Sequence, residues 1–193
     1  MSRKPDAVHQ GAVALEYVRS PYILVTSHEG AGVNFTLKQI ASLYAGEIKS
    51  YPDGTPIRLI LRPETEFNTR LLKSLSPEID KAVQKSQSRD GMILAITDQE
   101  NAEMLERVKG AIGWTTLGQV ISEKRSVIPL PIDNITPSLE TFASGTYPYY
   151  RPFFVVTEAK PTPLAKSFIE FLTSAEGREI LSKNGNSVDV IKP

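Results

Sequence analysis

The chain has 193 residues, 22 lysines plus arginines against 22 aspartates plus glutamates, 40% hydrophobic residues and no cysteine. With no basic field, nucleic acid and an anionic membrane surface are disfavoured as partners. The absence of cysteine excludes disulfides, thiolate chemistry and cysteine zinc sites. What remains is a globular chain, long enough for one large domain or two small lobes.

No stretch approaches the roughly 20 apolar residues of a membrane span. Met1-Ser2-Arg3-Lys4-Pro5 leads into no apolar h-region, so the chain as given carries no secretory signal. Residues 6–20 are weakly patterned, and Ala12, Val13, Leu15 and Val18 suggest a short helix or an irregular link. Pro21 then opens a strand over Tyr22–Thr26, by β-branched content. Glu29–Gly32 is a turn, and Thr36 with Gln39 three residues later forms a capping box for a helix stopped by Gly46. Tyr51–Pro56 turns into a strand in which Ile57, Leu59 and Leu61 alternate with Arg58, Ile60 and Arg62, the pattern of a half-buried strand. Pro63 stops it, and Phe67, Leu71, Leu72 and Leu75 mark a helix starting near Thr65 or Glu66.

Further on, Ser76-Pro77 opens another helix, and Thr97 with Glu100 reads as a second capping box, for a helix burying Ala102, Leu105 and Val108. Gly110–Trp114 is a short strand, Leu117–Ile121 a brief helix, and Ser126–Ile132 a strand. Thr136-Pro137 predicts a helix start by the proline-at-N1 rule, with Gly145 as its end. Phe153–Val156 reads as a buried strand. Thr162-Pro163 opens a helix whose core face is Leu164, Ala165, Phe168, Phe171 and Leu172, and Ser174 caps the last helix. Strands alternating with helices argue an α/β fold.

The stretch from Ile57 to Leu72 carries the chemistry. A strand running through a short loop into a helix presents free N–H groups at its mouth. Arg62 on one side, with Thr65, Asn68, Thr69 and Arg70 near the first turn, makes a candidate anion seat; the alternative is an ordinary βα turn with Arg62 in a surface ion pair to Glu64 or Glu66. Thr69 either donates to a ligand or bonds its own backbone, and Arg70 lies on a solvated helix face. His9 and His28, the only histidines, have no paired serine and make neither a metal site nor a triad. No nucleophile elbow, metal cluster or Walker loop is present; Glu64 and Glu66 as an acid–base pair is the weakest reading.

Five segments in order resemble the phosphate-binding-protein family of bacterial ABC importers, within the type 2 periplasmic binding protein fold. Phe35–Ile48 is similar to "LTLEQLADIYLGKI", and Arg62 followed by Asn68-Thr69-Arg70 stands where the family has an arginine and then Ser-Gly-Thr. Gly110–Trp114 resembles "GAIGY", Gly145–Pro152 resembles "GSYPLSRP", and Ser167–Gly177 resembles "AFIDFVLSPEGQ". Ser2-Arg3-Lys4-Pro5 resembles the family's "SSRP", so the resemblance places Ser2 and Arg3 in the cleft and implies a first lobe incomplete at its N-terminus. It implies two α/β lobes with a hinge: residues 1–29 from lobe 1 and its crossover, 30–115 as lobe 2, and 116–193 returning to lobe 1. It also implies a non-enzymatic solute-binding protein without cofactor, periplasmic or extracytoplasmic, taking a small anion such as phosphate and docking on an ABC transporter permease.

Phe67-Asn68-Thr69 departs from Ser-Gly-Thr, removing the glycine that brings backbone close to a phosphate oxygen, and Glu64 and Glu66 beside it repel a dianion. An alternative is therefore a sensory or cell-surface interaction module that keeps the fold without the ligand.

Overall fold

The computed structural model describes residues 11–188. A mixed sheet carries strands in the order β3-β2-β4-β1-β5, with β6 paired to β1 off that path. The strands are β1 (Ala12–Thr26), β2 (Arg58–Leu61), β3 (Ile93–Leu94), β4 (Ala111–Thr116), β5 (Ile128–Pro129) and β6 (Tyr150–Glu158). β2 runs parallel to β3 and β4, whereas β1 runs antiparallel to β4, β5 and β6.

β1 is the spine. Its first part, residues 12–21, pairs with β6, and Tyr22–Thr26 pair with β4. For the described part this corrects the helix or link expected over residues 6–20: residues 12–20 have little local pattern, and pairing with a strand more than 130 positions away decides their conformation. Pro21 does not open the strand but lies inside it, where the ladder passes from β6 to β4. A register shift between Glu16 and Val18 bends the outer ribbon.

Eight helices are described: α1 (Leu37–Ala45), α2 (Phe67–Lys73), α3 (Pro77–Gln87), α4 (Asp98–Arg107), α5 (Leu117–Ser122), α6 (Leu139–Ala143), α7 (Pro163–Thr173) and α8 (Ala175–Lys183). The α1 capping box is formed as expected, with Gly46 left-handed at its end. At α4 only half the box closes. Thr97 accepts from the Glu100 N–H, but the Glu100 carboxylate turns to the Ile96 N–H at 2.6 Å. α6 starts at the Ser138 cap rather than at Thr136-Pro137, because Ser138 and Thr141 satisfy each other reciprocally.

The core lies between the sheet and its helices. Tyr44 of α1 and Val83 of α3 enclose the Trp114 side of β4, and Leu105 of α4 packs on the opposite side, against Gly113. β2 is consequently covered on both faces; Leu59, Ile60 and Leu61 are all buried, rather than alternating. Two further expectations fail at the other end of the molecule. β6 is half-buried, not buried, and the α7 face expected in the core is open, with Leu164 81% and Phe168 55% exposed. The Ser126–Ile132 strand shrinks to Ile128–Pro129.

Candidate anion site

Parallel strands β2, β3 and β4 end on the same side of the sheet, and each runs into a helix: α2, α4 and α5. The crevice beyond such carboxyl ends is where open α/β sheets bind ligands. Arg62 leaves the end of β2 there, and despite its charge it is only 8% exposed. One Nη donates to the Ala95 carbonyl at 2.9 Å, the other to Asp98 Oδ1 at 3.1 Å.

Asp98 is the first residue of α4, and three donors from separate elements converge on it. Asn68, buried in α2, donates through Nδ2 to the same Oδ1 at 3.1 Å. Arg151 of β6 reaches Oδ2 at 3.2 Å. Its guanidinium also lies over the Phe153 ring at 5.1 Å and the Phe67 ring at 6.0 Å. Glu66 pairs with Arg62 more loosely, at 3.8 Å, beyond hydrogen-bond distance. Two guanidinium groups thus share one carboxylate, and Arg62 Nε and Asn68 Oδ1 are buried with no hydrogen-bond partner among the described residues.

The surroundings hold Arg62 in place through its backbone. Its carbonyl accepts from Thr69 Oγ1 at 3.1 Å and from Gln87 Nε2 at 2.8 Å. Tyr22 donates its hydroxyl to the Asn68 carbonyl at 3.2 Å and stacks on Trp114 with centroids 4.8 Å apart. Burial raises the Tyr22 hydroxyl well above the usual tyrosine range, so it acts as a neutral donor. The Glu66 cap of α2 makes no side-chain hydrogen bond, unlike the caps of the other described helices.

Of the residues singled out in the sequence, Arg62, Asn68 and Thr69 come together. The ion pair expected with Glu64 or Glu66 is present to Glu66 at 3.8 Å, and a closer one to Asp98 at 3.1 Å joins it. Thr69 commits its proton to the Arg62 carbonyl, seven residues back and outside α2, so it neither faces a ligand nor bonds its own helix. Thr65 and Arg70 are exposed, Arg70 on the outer side of α2, and neither joins the cluster. Ser2, Arg3 and His9 lie outside the described residues. His28 pairs with exposed Asp53 at 2.8 Å. Sequence reasoning missed Asp98 and Arg151. Arg151 stood inside the Gly145–Pro152 segment, and Asp98 followed the Thr97 cap.

The chain as a whole is similar to known proteins. The PBP superfamily domain is matched over residues 2–176. The chain belongs to the PBP superfamily. Among its relatives, the phosphate-binding protein PstS of Borreliella burgdorferi is 26% identical over 188 residues, covering 93% of this chain and 67% of that protein. PstS 2 of Streptococcus pneumoniae serotype 4 is 29% identical over 123 residues, covering 62% of this chain and 38% of its own length. The chain therefore spans two thirds of the one PstS protein and well under half of the other. In fold it is similar to a substrate-binding protein from Clostridium perfringens, assigned to a phosphate ABC transporter and solved with bound phosphate. The TM-score is 0.78 at 22% identity, covering 99% of this chain and 77% of that one. The α/β architecture of this PBP chain is that of type 2 periplasmic binding proteins.

Proposed function

We propose that the chain forms the ligand-capturing part of a solute-binding protein of a phosphate-type ABC importer, with Arg62, Asn68 and Arg151 as anion donors. The observation that carries this is the convergence of three donors, from α2, β6 and the end of β2, on one point at the carboxyl ends of parallel strands. Nearly buried arginines lose little freedom on binding, and their planar forks suit an oxyanion. Asp98 holds the donors together, and an incoming anion takes over part of its hydrogen bonding. Thr69 contributes by fixing the Arg62 backbone rather than by touching ligand. Ser2 and Arg3 remain candidates for the opposite wall, and the division into lobes near residues 30 and 116 belongs to the same proposal. The relatives are binding proteins, which supports a non-catalytic role, an extracytoplasmic location and a permease as the partner.

Calorimetric titration with phosphate, sulfate, molybdate and small carboxylates tests the reading, and R62Q is the control. Binding of an oxyanion, lost in R62Q, is expected. Silence across the whole panel would instead favour the ligand-free interaction module. One observation gives that second reading its footing: Asp98 already supplies a counter-charge to both arginines.

A further inference from the structure

At the other end of β2 lies a groove of about 510 Å³, within the size range of small-molecule sites. Arg58 opens that strand and Arg62 follows its end, so with about 3.3 Å of rise per residue the two are roughly 13 Å apart along the strand. The groove is walled by the end of α1, the Ile48-Lys49 loop, the start of β2 and the segment joining α3 to β3.

Four cations line it: Lys49, Arg58, Lys85 and Arg89. None of the four forms an ion pair among the described residues, and Asp90, the one carboxylate lining the groove, pairs with none of them. In a protein of zero formal net charge, this is a local excess of three positive charges. Part of the excess is built in. Arg89 is half-buried, with Nε and one Nη on Met92 Sδ at 3.2 and 3.1 Å and the other Nη 3.4 Å from the Tyr44 carbonyl. Gly46 permits this: a Cβ there would meet the Arg89 guanidinium at 2.1 Å. A carbonyl and a thioether place that charge without neutralising it. Beneath the cations the lining is apolar, with Ile48, Ile57, Leu59 and Ile93.

We propose that this groove is a second ligand site, separate from the Arg62 centre, for a phosphate monoester carrying an apolar body. Three excess charges suit a dianionic head better than a carboxylate. The aliphatic lining rewards hydrocarbon that inorganic phosphate lacks. The ester can be a soluble metabolite or a lipid headgroup, and the test separates the two.

Methyl, butyl and hexyl phosphate are titrated into the full chain carrying R62Q, which removes the first anion site, with amide chemical shifts recorded alongside calorimetry. Affinity is expected to rise about three- to fourfold per added methylene, with shifts centred on Lys49, Arg58 and Met92. The R58Q/K85Q double variant, at exposed positions, is expected to bind at least tenfold more weakly with an unchanged melting temperature. Binding to phosphatidic-acid vesicles without binding of hexyl phosphate, abolished in the double variant, supports the site with a lipid as its source. Affinity indifferent to chain length, shifts elsewhere, binding indifferent to R58Q/K85Q, or no binding in either arm overturns the proposal.

Discussion

Arg62, just past the end of β2, and Asp98, the first residue of the helix that follows neighbouring parallel β3, meet at 3.1 Å, with the Asp98 side chain 39% exposed against 8% for the arginine. The pair is asymmetric: the cation is fixed and nearly dry, the anion is reachable from solvent. Asp98→Ala leaves Arg62 and Arg151 without their shared carboxylate. A fully buried pair would lose about 3–5 kcal/mol on such a cut, and solvent access reduces that here to about 1–2 kcal/mol. Added phosphate should return part of the loss by substituting for the carboxylate. Thermal melts of D98A with and without phosphate check this, and a melting temperature indifferent to phosphate would count against the proposed site.

Replacing Arg62 should separate its role from that of Arg70. R62Q removes a nearly buried donor and is expected to weaken oxyanion binding by at least tenfold, about 1.4 kcal/mol or more. R70Q alters an exposed helix residue, and its titration should overlay the wild type. Equal losses in both would mean that general surface charge, rather than the cluster, attracts the ligand.

Local signals were legible in the sequence, and distant ones were not. The Thr36–Gln39 box and the Thr162-Pro163 start each depend on residues within one helical turn, and both stand as read. Arg62, Asn68 and Thr69 were visible because they flank one loop. Asp98 was not: its role arises from donors 30, 36 and 53 positions away. The same reason hides the first half of β1, whose conformation is set by β6. α7 went wrong differently. Its apolar periodicity is real, but periodicity reports that a face can be buried and says nothing about what covers it.

Acid should erase one surface contact in a defined direction. Lys73 lies 3.2 Å from Asp80 and 3.4 Å from Glu64, and its hydrogen bond lowers the Asp80 pKa below the ordinary 3.8. The unfolded state therefore binds the proton first. The stabilisation is complete above the unfolded value and disappears as pH falls through the depressed folded one. Urea unfolding of wild type and D80N should differ at neutral pH and converge as pH drops below about 3.8. A gap that widens toward acid would contradict this assignment.

Base should unfold the protein through its tyrosines. Burial raises the Tyr22, Tyr44 and Tyr147 hydroxyls above the ordinary 10.0, and Tyr147 donates to the Tyr22 carbonyl at 2.8 Å. In the unfolded chain these groups ionise near 10, so stability holds below that value and falls as pH climbs toward the raised folded values. Tyrosinate absorbance from this set should appear together with loss of the folded circular dichroism signal. Ionisation of all tyrosines with the fold intact would refute it.

Two left-handed glycines should respond unequally to alanine. At Gly110 a Cβ would sit 2.2 Å from the Pro56 carbonyl oxygen, whereas at Gly54 nothing lies within 4 Å. G54A bears only the conformational penalty, about 1 kcal/mol. G110A adds a backbone collision and is expected to cost about 2–4 kcal/mol. Chemical denaturation of the two variants, side by side, reads the difference.

The change of partners along β1 has a mechanical meaning. Arg151 sits opposite Ser20, and Tyr150 opposite Pro21, immediately before Tyr22 takes up β4. If the outer ribbon pivots against the inner sheet, that junction is the fulcrum, and Arg151, whose guanidinium grips Asp98, is paired one residue from it. Swinging the lever and loosening the grip would then be a single event, so an anion settling between Arg62 and Arg151 would bias the ribbon's angle without any separate transmission.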